Sequence, residues 1–377
     1  MKKIFIVTGE LSGDITAAWY VKRLQAEFSH CDAQIHAVGG DNLQALGVTI
    51  FKRFEELNVV GVFEILRHLP KILRILNELV EYIKTNDFDE VILVDFPGFN
   101  LRLAQKLKSL NLKSLKLKSV DPKIKVTYLA PPQLWCWGAW RVSKLKKYCD
   151  KVIVLYPFEV EWYKQRGVTA QWLGNPVYDS LQQYFPLIEN KERLIALLPG
   201  SRKSELERFL PIFRDIVKNF VLRHPDVKFV IPLASSLPDD FIKQQLEKSG
   251  LNAFSNKLIF ARTEKEKFEK LSACCLAVTK PGTVTLELAL LKIPSVMMFK
   301  ISWLTYILAR PLVKVKYMSL PNLLLDFPLY KELVQSDCKL DLILREVENL
   351  YLGFTRKTND YVMKMKKLDE LRQLLSR

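Results

Sequence analysis

Short apolar runs alternate with longer segments of helical periodicity along most of the chain. This alternation is typical of βαβ units, in which crossover helices join the strands of a parallel sheet. In the first half, the apolar runs predict strands at 3–8, 34–38, 90–95, 124–129 and 151–155. The periodic segments between them predict helices at 15–26, 60–84, 101–107 and 139–148.

The same pattern begins again after a polar break around 175–191, which contains Pro176 and Pro186. Apolar runs in the second half predict strands at 194–198, 228–233, 257–260, 276–279 and 295–299. We therefore expect an α/β protein with two Rossmann-like domains that face each other across a cleft. The predicted ranges are 1–178 for the first domain, 190–340 for the second, and 341–377 for C-terminal helices that return to the first domain.

Composition and charge narrow the class of partner. The 377 residues are 49% hydrophobic and 26% charged, which is the balance of a folded globular protein. Lys and Arg number 57 against 41 Asp and Glu, a formal net charge of +16. Such an excess indicates nucleic acid, a phosphorylated substrate or an anionic membrane surface as partner. A basic surface that is only solvated would give the same count.

Metal sites and membrane spans are not expected. The six Cys show no CxxC spacing, the four His show no HxxxH or HExxH spacing, and Asp87 and Asp89 form an Asp-x-Asp in a polar turn before a strand. No metal and no cofactor is therefore predicted. The first apolar run is too short for a signal peptide, and the apolar stretch 293–313 is interrupted by Pro and charged residues. These features favour a cytoplasmic protein.

The loop after the first predicted strand is a candidate for substrate binding. It reads Gly-Glu-Leu-Ser-Gly-Asp at 9–14, where glycines and a helix N-terminus allow a ligand to approach the backbone. Its carboxylates oppose a bound pyrophosphate, so the loop is either acceptor-facing or a plain strand-to-helix turn. The candidate acceptor-side residues are Glu10, Ser12, Gly13, Asp14 and, on the loop after a later strand, Asn100.

Asp95 ends the predicted strand 90–95 and is the candidate catalytic residue. The carboxyl end of a central parallel strand is where α/β folds bind their ligands. An Asp at such a position also commonly caps the helix that follows. The spacing alone leaves both interpretations open.

Two segments of the second domain are candidates for phosphate binding. Arg202 follows a predicted strand, and its guanidinium can hold a diphosphate through two hydrogen bonds. Gly282 and Thr283 begin a helix whose free amides, including that of Val284, can receive phosphate, while Glu287 can accept hydrogen bonds from ribose hydroxyls. The alternative is an ordinary N-cap followed by a solvated glutamate.

The helix predicted at 60–84 has an apolar stripe beside a basic stripe. This combination is typical of a helix that meets anionic lipid, and a core-facing helix with a solvated basic face is the alternative. Pro70 is expected to kink or split the helix. The candidate membrane-contact residues are Arg67, Lys71, Arg74, Leu69 and Leu73.

Six short motifs are spread over nearly the whole chain. They are Gly-Glu-x-Ser-Gly-Asp at 9–14, Asp-x-Pro-x-Phe-Asn at 95–100, Pro-x-x-x-Trp-x-Trp at 131–137, Leu-Pro-Gly-Ser-Arg-x-x-Glu at 198–205, Gly-Thr-x-x-Leu-Glu at 282–287 and Ser-Leu-Pro-Asn-Leu at 319–323. Together and in this order, they resemble the motifs of the lipid-A-disaccharide synthases. The resemblance implies an inverting glycosyltransferase of the two-domain GT-B type.

The resemblance also implies substrates and roles. The family transfers 2,3-diacylglucosamine from UDP to 2,3-diacylglucosamine 1-phosphate (lipid X), giving a β-1,6-linked disaccharide and UDP. A Gram-negative cell and a peripheral position on the inner face of its inner membrane are implied. Asp95 resembles the family's catalytic Asp. The residues that resemble its donor-side positions are Arg202, Gly282, Thr283, Glu287 and Asn322, and Val284 is predicted to join them.

Some positions depart from the expected motifs. Asn175 stands where a His is expected between Gly and Pro, and Lys280-Pro281 precedes Gly-Thr where small residues are commoner. The segment 107–123 is longer and more basic than expected and is interpreted as a solvated surface loop. The first departure puts a nucleotide-side role for position 175 in doubt.

Two other functions compete with this one. Another UDP-sugar enzyme of the same fold, such as a peptidoglycan glycosyltransferase or a UDP-N-acetylglucosamine 2-epimerase, should lack the motifs at 9–14 and 319–323. A basic nucleic-acid-binding protein needs aromatic residues interleaved with a basic patch. Trp135, Trp137 and Trp140 beside Arg141 give a weak version of that pattern, and no nucleic-acid partner is predicted. A homodimer is left open.

Overall fold

A computed structural model describes residues 2–27, 33–57, 62–116, 124–189, 191–301, 306–307 and 315–376, without the side chains of 62–69, 111–116 and 188. The Cα positions divide the chain into two compact units, Met1–Pro176 and Val177–Arg377. The first unit ends close to the boundary expected at 178. Each unit contains one parallel sheet with helices packed on it.

The first unit is built on a parallel sheet in the order β3-β2-β1-β4-β5-β6-β7. Its strands are β1 (Lys2–Val7), β2 (Ala33–Gly39), β3 (Thr49–Arg53), β4 (Glu90–Val94), β5 (Lys125–Leu129), β6 (Lys151–Val154) and β7 (Ala170–Trp172). The described helices are α1 (Leu11–Glu27), α2 (Asp41–Gln44), α3 (Val62–Thr85), α4 (Pro97–Lys116), α5 (Val142–Tyr148) and α6 (Pro157–Lys164).

The second unit follows α7 (Pro176–Leu181) and has a parallel sheet in the order β10-β9-β8-β11-β12-β13. Its strands are β8 (Glu192–Leu197), β9 (Lys228–Pro232), β10 (Leu258–Ala261), β11 (Cys274–Thr279), β12 (Ser295–Phe299) and β13 (Lys331–Val334). The described helices are α8 (Lys203–Arg223), α9 (Asp239–Ser249), α10 (Glu264–Ala273), α11 (Thr283–Leu290), α12 (Leu320–Leu325), α13 (Leu340–Arg356) and α14 (Asn359–Leu375).

Strand β1 sends alternate side chains to the two faces of the first sheet. Phe5 and Val7 pack with residues of α3 and α4, whereas Ile4 and Ile6 pack with residues of α1, and all four are fully buried. Helices therefore cover both faces, which explains why the strand is a continuous apolar run. Because the strands are parallel, the loops after β1, β4 and β5 meet at one edge of the sheet.

The predicted two-domain α/β architecture is confirmed, and the differences lie at the sheet edges and in two helices. Strands β3, β7 and β13 were not predicted, since they are short or carry polar residues at alternate positions. Helix α3 continues through Pro70 as one helix. Helix α4 extends to Lys116, so the first part of the segment expected to be a solvated loop is helical.

The C-terminal helices pack on the second sheet and its helices. Helix α13 buries Ile343, Val347 and Tyr351 in the core cluster of the second sheet. Helix α14 follows it within Val177–Arg377 and contacts α11, α12 and α13. The apolar face of α13 is therefore covered within the second unit, and the expected return of 341–377 to the first domain stays a prediction.

Gly9, directly after β1, lies against the ring of Phe96, which follows β4. A Cβ atom at Gly9 would lie 2.2 Å from the Phe96 Cγ. Phe96 itself has a φ of 47°, which a non-glycine side chain adopts rarely. The close contact between the two loops therefore requires a residue without a side chain at position 9.

We expect Gly9→Ala to lower the free energy of unfolding by about 1–3 kcal/mol, because the Phe96 ring must move away from the new methyl group. The matched control is Gly98→Ala, where an added Cβ would have no atom within 4 Å. That change should be neutral or stabilising by less than about 1 kcal/mol. Urea unfolding of both variants measures the difference, and equal losses would show that the Gly9–Phe96 contact is unimportant.

Candidate active site

Asp95 follows β4 in a turn that neighbouring elements hold in place. Its φ is 45°, in the left-handed region. The Asp95 carbonyl oxygen accepts hydrogen bonds from the Tyr128 hydroxyl at 2.6 Å and from the Asn100 Nδ2 at 2.8 Å. The Asp95 amide donates to the Leu129 carbonyl at 3.2 Å. Contacts with β5 and α4 therefore fix the backbone that carries the candidate base.

The environment of Asp95 makes its carboxylate more basic than usual. Burial is the largest cause, and the charge of Glu10 adds to it, so that the pKa of Asp95 rises to about 6, although a backbone hydrogen bond from Phe96 opposes the shift. Glu10 and Ser12 are exposed and joined by a hydrogen bond from the Ser12 hydroxyl, while Gly13 is buried. The structure thus brings the predicted loop and the predicted catalytic residue together.

Asn100, which was predicted on the acceptor side, supports the Asp95 turn. It is fully buried, and its Nδ2 donates to the carbonyl oxygens of both Asp95 and Val94. Its Oδ1 is buried without a hydrogen-bond partner among the described residues. Asn100 therefore positions the Asp95 turn, and its contact with an acceptor stays a prediction.

Asp14, which was predicted among the acceptor-side residues, is also buried. Its carboxylate accepts hydrogen bonds from the Gly40 amide at 2.7 Å, and from the Asn42 amide and Nδ2 at 3.0 Å each. These donors lie at the start of α2. Asp14 therefore ties α1 to the loop after β2, because its oxygens are occupied by protein donors.

The motif at 131–137 is anchored by Glu159, which the sequence analysis did not identify. The Trp135 indole donates to the Glu159 carboxylate at 2.9 Å. The amides of Leu155 and Tyr156 donate to the same carboxylate at 3.1 and 3.0 Å. Burial raises the pKa of Glu159 to about 7, and these hydrogen bonds oppose the shift. A Glu at the third position of a helix that begins with Pro157 is a capping pattern, so the sequence did contain a local indication of the role of Glu159.

In the second unit, Glu205 organises the loop that carries Arg202. The carboxylate of Glu205 accepts hydrogen bonds from the amides of Ser201 at 3.0 Å and Arg202 at 3.1 Å. It also forms an ion pair with Lys280 at 2.9 Å. Gly200 has a φ of 108°, and a Cβ there would lie 2.1 Å from the Glu205 Oε2. The Glu205 carboxylate therefore holds the backbone of the loop that precedes it, and the Arg202 side chain is exposed.

The ion pair joins this loop to the start of α11. Strands β8 and β11 are neighbours, so the segments after them lie at the same edge of the second sheet. Gly282, with a φ of 138°, and Thr283 are exposed there, and Val284 is half-buried. The Arg202 guanidinium and the N-terminus of α11 are thus brought to one edge, as predicted, and both favour an anion.

Glu287 is paired in the structure. Its Oε2 accepts a hydrogen bond from the Lys267 Nζ at 2.6 Å, and the side chains are both largely buried. The solvated glutamate that was the alternative interpretation is therefore not observed. The predicted hydrogen bond from a ribose hydroxyl would therefore go to the other carboxylate oxygen of Glu287, Oε1.

Asn322 is fully buried and its side-chain amide is hydrogen-bonded within the protein, while its donor-side role stays a prediction. Its Nδ2 donates to the Tyr330 carbonyl and to the Glu332 carboxylate, each at 2.9 Å, and its Oδ1 accepts from the Tyr330 amide at 2.8 Å. Glu332 also accepts from the amides of Met318 and Ser319 at 2.9 Å. The motif at 319–323 is therefore held to β13 by a carboxylate that no local pattern indicated.

The membrane-contact prediction falls partly outside the described side chains. Lys71, Leu73 and Arg74 are exposed on α3, with Leu73 at 42%. The side chains of Arg67 and Leu69 lie outside the described residues. The later apolar positions of α3 are buried in the core of the first unit, namely Ile75, Leu76, Leu79, Val80 and Ile83. The C-terminal half of the helix is therefore a core helix whose outer face carries both charges, with Arg74 and Lys84 beside Glu78 and Glu81.

The described part of the chain offers neither a metal-binding cluster nor a membrane-spanning helix. Over the ranges that the structure describes, no three His, Cys, Asp or Glu residues cluster in a way that could hold a metal ion. Asp89 of the Asp-x-Asp accepts a hydrogen bond from the Lys3 amide at 2.7 Å. Among the helices in the described ranges, none combines the length and the apolar character that a bilayer crossing requires.

Solved structures share this fold at low sequence identity. MurG of Acinetobacter baumannii superposes with a TM-score of 0.57 at 14% identity, over 100% of this chain and 99% of that one. A UDP-GlcNAc 2-epimerase from Neisseria meningitidis, solved with UDP-GlcNAc bound, gives a TM-score of 0.55 at 12% identity over 100% of both chains. These likenesses show the GT-B fold alone.

Sequence comparison is more specific. The sequence model of the family described as Lipid-A-disaccharide synthetase matches residues 4–377. A lipid-A-disaccharide synthase of Myxococcus xanthus is 34% identical over 358 residues, which cover 93% of this chain and 88% of that protein. One from Acinetobacter baylyi is 32% identical over 367 residues, with 94% and 89% covered. This chain belongs to the lipid-A-disaccharide synthetase family.

Proposed function

We propose that this protein transfers 2,3-diacylglucosamine from UDP to the 6-hydroxyl of 2,3-diacylglucosamine 1-phosphate, and releases UDP and a β-1,6-linked disaccharide 1-phosphate. The observation that carries this proposal is the carboxylate of Asp95, which has a pKa of about 6 at the ligand-binding edge of the first sheet. Family membership supplies the substrate class.

Asp95 acts as the general base in this proposal. Inversion at the anomeric carbon requires one displacement, in which the acceptor hydroxyl loses its proton while the bond to UDP breaks. A base is most effective when its pKa lies near the working pH, because it is then largely ionised and still basic enough to accept the proton. The turn fixed by Tyr128 and Asn100 holds that base in one position.

The second unit supplies the stabilisation of the leaving group. Negative charge develops on the diphosphate of UDP as the bond breaks. The Arg202 guanidinium and the amides at the start of α11 can donate hydrogen bonds to those oxygens. The Lys280–Glu205 ion pair keeps the two segments together, so that both donors are in place before the substrate arrives.

The proposal also places the protein on the cytoplasmic face of the inner membrane. Both substrates carry acyl chains and reside in a bilayer. The exposed side of α3 offers Lys71 and Arg74, with Arg67 on the same helix, as cations for anionic headgroups. The net charge of +16 supports the same interpretation.

The function is tested by incubating purified protein with UDP-2,3-diacylglucosamine and 2,3-diacylglucosamine 1-phosphate and detecting the disaccharide by mass spectrometry. Asp95→Asn should lower kcat about 100- to 10,000-fold, because the base is lost, while UDP binding stays unchanged. The matched control is Asp87→Asn, an exposed residue before β4 at the opposite edge of the sheet, which should retain full activity. Epimerisation of UDP-N-acetylglucosamine without disaccharide formation would favour the alternative function.

The pH profile gives an independent prediction. Burial and Glu10 raise the pKa of Asp95 to about 6, and only the ionised carboxylate can accept a proton. We therefore expect kcat/KM to fall about tenfold per pH unit below about pH 6. Glu10→Gln removes the repelling charge and should move this acidic limb to lower pH. Asp95 would not be the base if kcat/KM did not fall below about pH 6, or if Glu10→Gln left the acidic limb of the profile at the same pH.

Membrane binding is tested with the triple variant Arg67→Ser, Lys71→Ser and Arg74→Ser. Each cation near an anionic surface contributes about 1 kcal/mol, so partitioning onto phosphatidylglycerol vesicles at low salt should fall about 100-fold. Activity on vesicle-borne substrate should fall more than activity on detergent-dispersed substrate. A control with the same charge change replaces three exposed lysines of the second unit by Ser, namely Lys228, Lys243 and Lys248. Equal loss of vesicle binding in both variants would show that binding depends on the net charge of the protein, and not on the position of these cations on α3.

A further inference from the structure

A cation held by two exposed tryptophans lies on the loop that follows β5. The Arg141 guanidinium is 4.5 Å from the ring centroid of Trp137 and 5.8 Å from that of Trp140. The two rings meet edge to face at 6.3 Å. Trp137 is 43% exposed and Trp140 is 64% exposed, which is unusual for the largest apolar side chain. We call Trp137, Trp140 and Arg141 the Trp–Arg cluster.

The backbone of this loop shapes the cluster. Gly138 is buried with a φ of 80°, and an added Cβ there would lie 3.8 Å from the Arg141 Cδ. The Arg141 amide donates to the Gly138 carbonyl at 2.9 Å and closes a turn. The arginine stem therefore lies over Gly138, and the guanidinium is placed against the two rings instead of extending freely into solvent.

Arg141 is a cation without an acidic partner in the part of the chain that the structure describes. No carboxylate there lies within 4.0 Å of its guanidinium, in contrast to Arg53, which pairs with Asp41 at 2.6 Å. A guanidinium carries five N–H donors in a fixed fork that matches the geometry of phosphate. The rings hold the fork but accept no conventional hydrogen bond, so its donors remain available to an anion.

The cluster and the candidate base are linked through Tyr128. The Tyr128 hydroxyl donates to the Asp95 carbonyl, and its pKa is raised chiefly by burial and then by the charge of Asp95, while the charge of Arg141 lowers it. Both charges therefore act on one hydroxyl group. Strands β4 and β5 are adjacent, so the loops that carry Asp95 and Arg141 leave the sheet side by side.

We propose that Arg141, oriented by Trp137 and Trp140, binds the phosphate monoester of the acceptor sugar and thereby selects a phosphorylated acceptor. This inference rests on the proposed function, because it assigns a specificity-determining residue to that reaction. The acceptor presents its 6-hydroxyl to Asp95 and carries its phosphate at the opposite end of the sugar ring. A cation fixed on the neighbouring loop, apart from the Asp95 carboxylate, therefore sets both the identity and the orientation of the acceptor.

The test compares two acceptors, 2,3-diacylglucosamine 1-phosphate and its analogue without the phosphate, in detergent micelles. Arg141→Gln should raise KM for the phosphorylated acceptor and lower kcat/KM roughly 10- to 100-fold, the value of a hydrogen-bonded charge pair. Its kcat/KM for the unphosphorylated acceptor and its KM for the UDP-sugar should stay within about twofold of wild type. Arg141→Lys keeps the charge but loses the planar fork of donors. Its kcat/KM for the phosphorylated acceptor should therefore lie between those of wild type and Arg141→Gln.

The control is Lys144→Gln, which removes an exposed cation on α5 close to the cluster and should leave both acceptors unaffected. Sedimentation with phosphatidylglycerol vesicles distinguishes a lipid headgroup from the acceptor as the source of the phosphate. Unchanged vesicle binding by Arg141→Gln, together with lost discrimination between acceptors, supports the proposal. Reduced vesicle binding with discrimination intact would overturn it in favour of a headgroup contact.

Equal loss of kcat/KM on both acceptors would also overturn the proposal, since it would give Arg141 a merely structural role. Thermal unfolding of Arg141→Gln and Arg141→Lys monitors that possibility directly. Failure of the proposed function gives a different result, because the wild-type protein would then form no disaccharide from either acceptor. The two failures are therefore distinguishable in one set of assays.

Discussion

The hydrogen bonds to the Asp95 carbonyl oxygen are the constraint on which the first unit's chemistry depends. A left-handed backbone at a non-glycine residue is costly, and it persists only where the surrounding structure determines it. Here the Tyr128 hydroxyl comes from the neighbouring strand and the Asn100 amide from the following helix. The sheet register therefore sets the place of the carboxyl group, because β4 and β5 pair from Glu90–Lys125 through Val94–Leu129.

Carboxylates perform a second task throughout the molecule. The buried Asp14 and Glu159 and the half-buried Glu205 each accept two backbone amides from a loop at a strand end, and the half-buried Glu332 accepts two from the segment before α12. An acceptor-only group with two oxygens suits this task, since loop amides lack partners in the sheet. Asp95 differs from these groups because its own backbone is held by other residues, while its carboxylate accepts a backbone hydrogen bond from Phe96. In the proposed mechanism this carboxylate is the group that takes the proton.

Much of this was predictable from the sequence, and the remainder shows where local patterns stop. Buried parallel strands such as β1, β4 and β11 are continuous apolar runs, so the two sheets were identified. Motif spacing also indicated Asp95 and the Arg202 loop. By contrast, no local pattern showed that Asn100 and Asn322 are buried and hydrogen-bonded within the protein. Glu332 lies ten residues beyond Asn322. Their contact depends on tertiary structure, which no local pattern encodes.

The burial of two acids in the first unit also links proton binding to folding in an uncommon direction. The pKa of Glu159 is raised from its ordinary 4.5 to about 7, and that of Asp95 from 3.8 to about 6. Between each pair of values the folded chain binds more protons than the unfolded chain, so these groups make the fold less stable as the pH rises through that window. Most carboxylates have a lowered pKa in the folded chain and therefore make the fold more stable as the pH rises. These two groups therefore contribute more to stability in mild acid than at neutral pH, and in the proposed mechanism the same mild acid protonates the base.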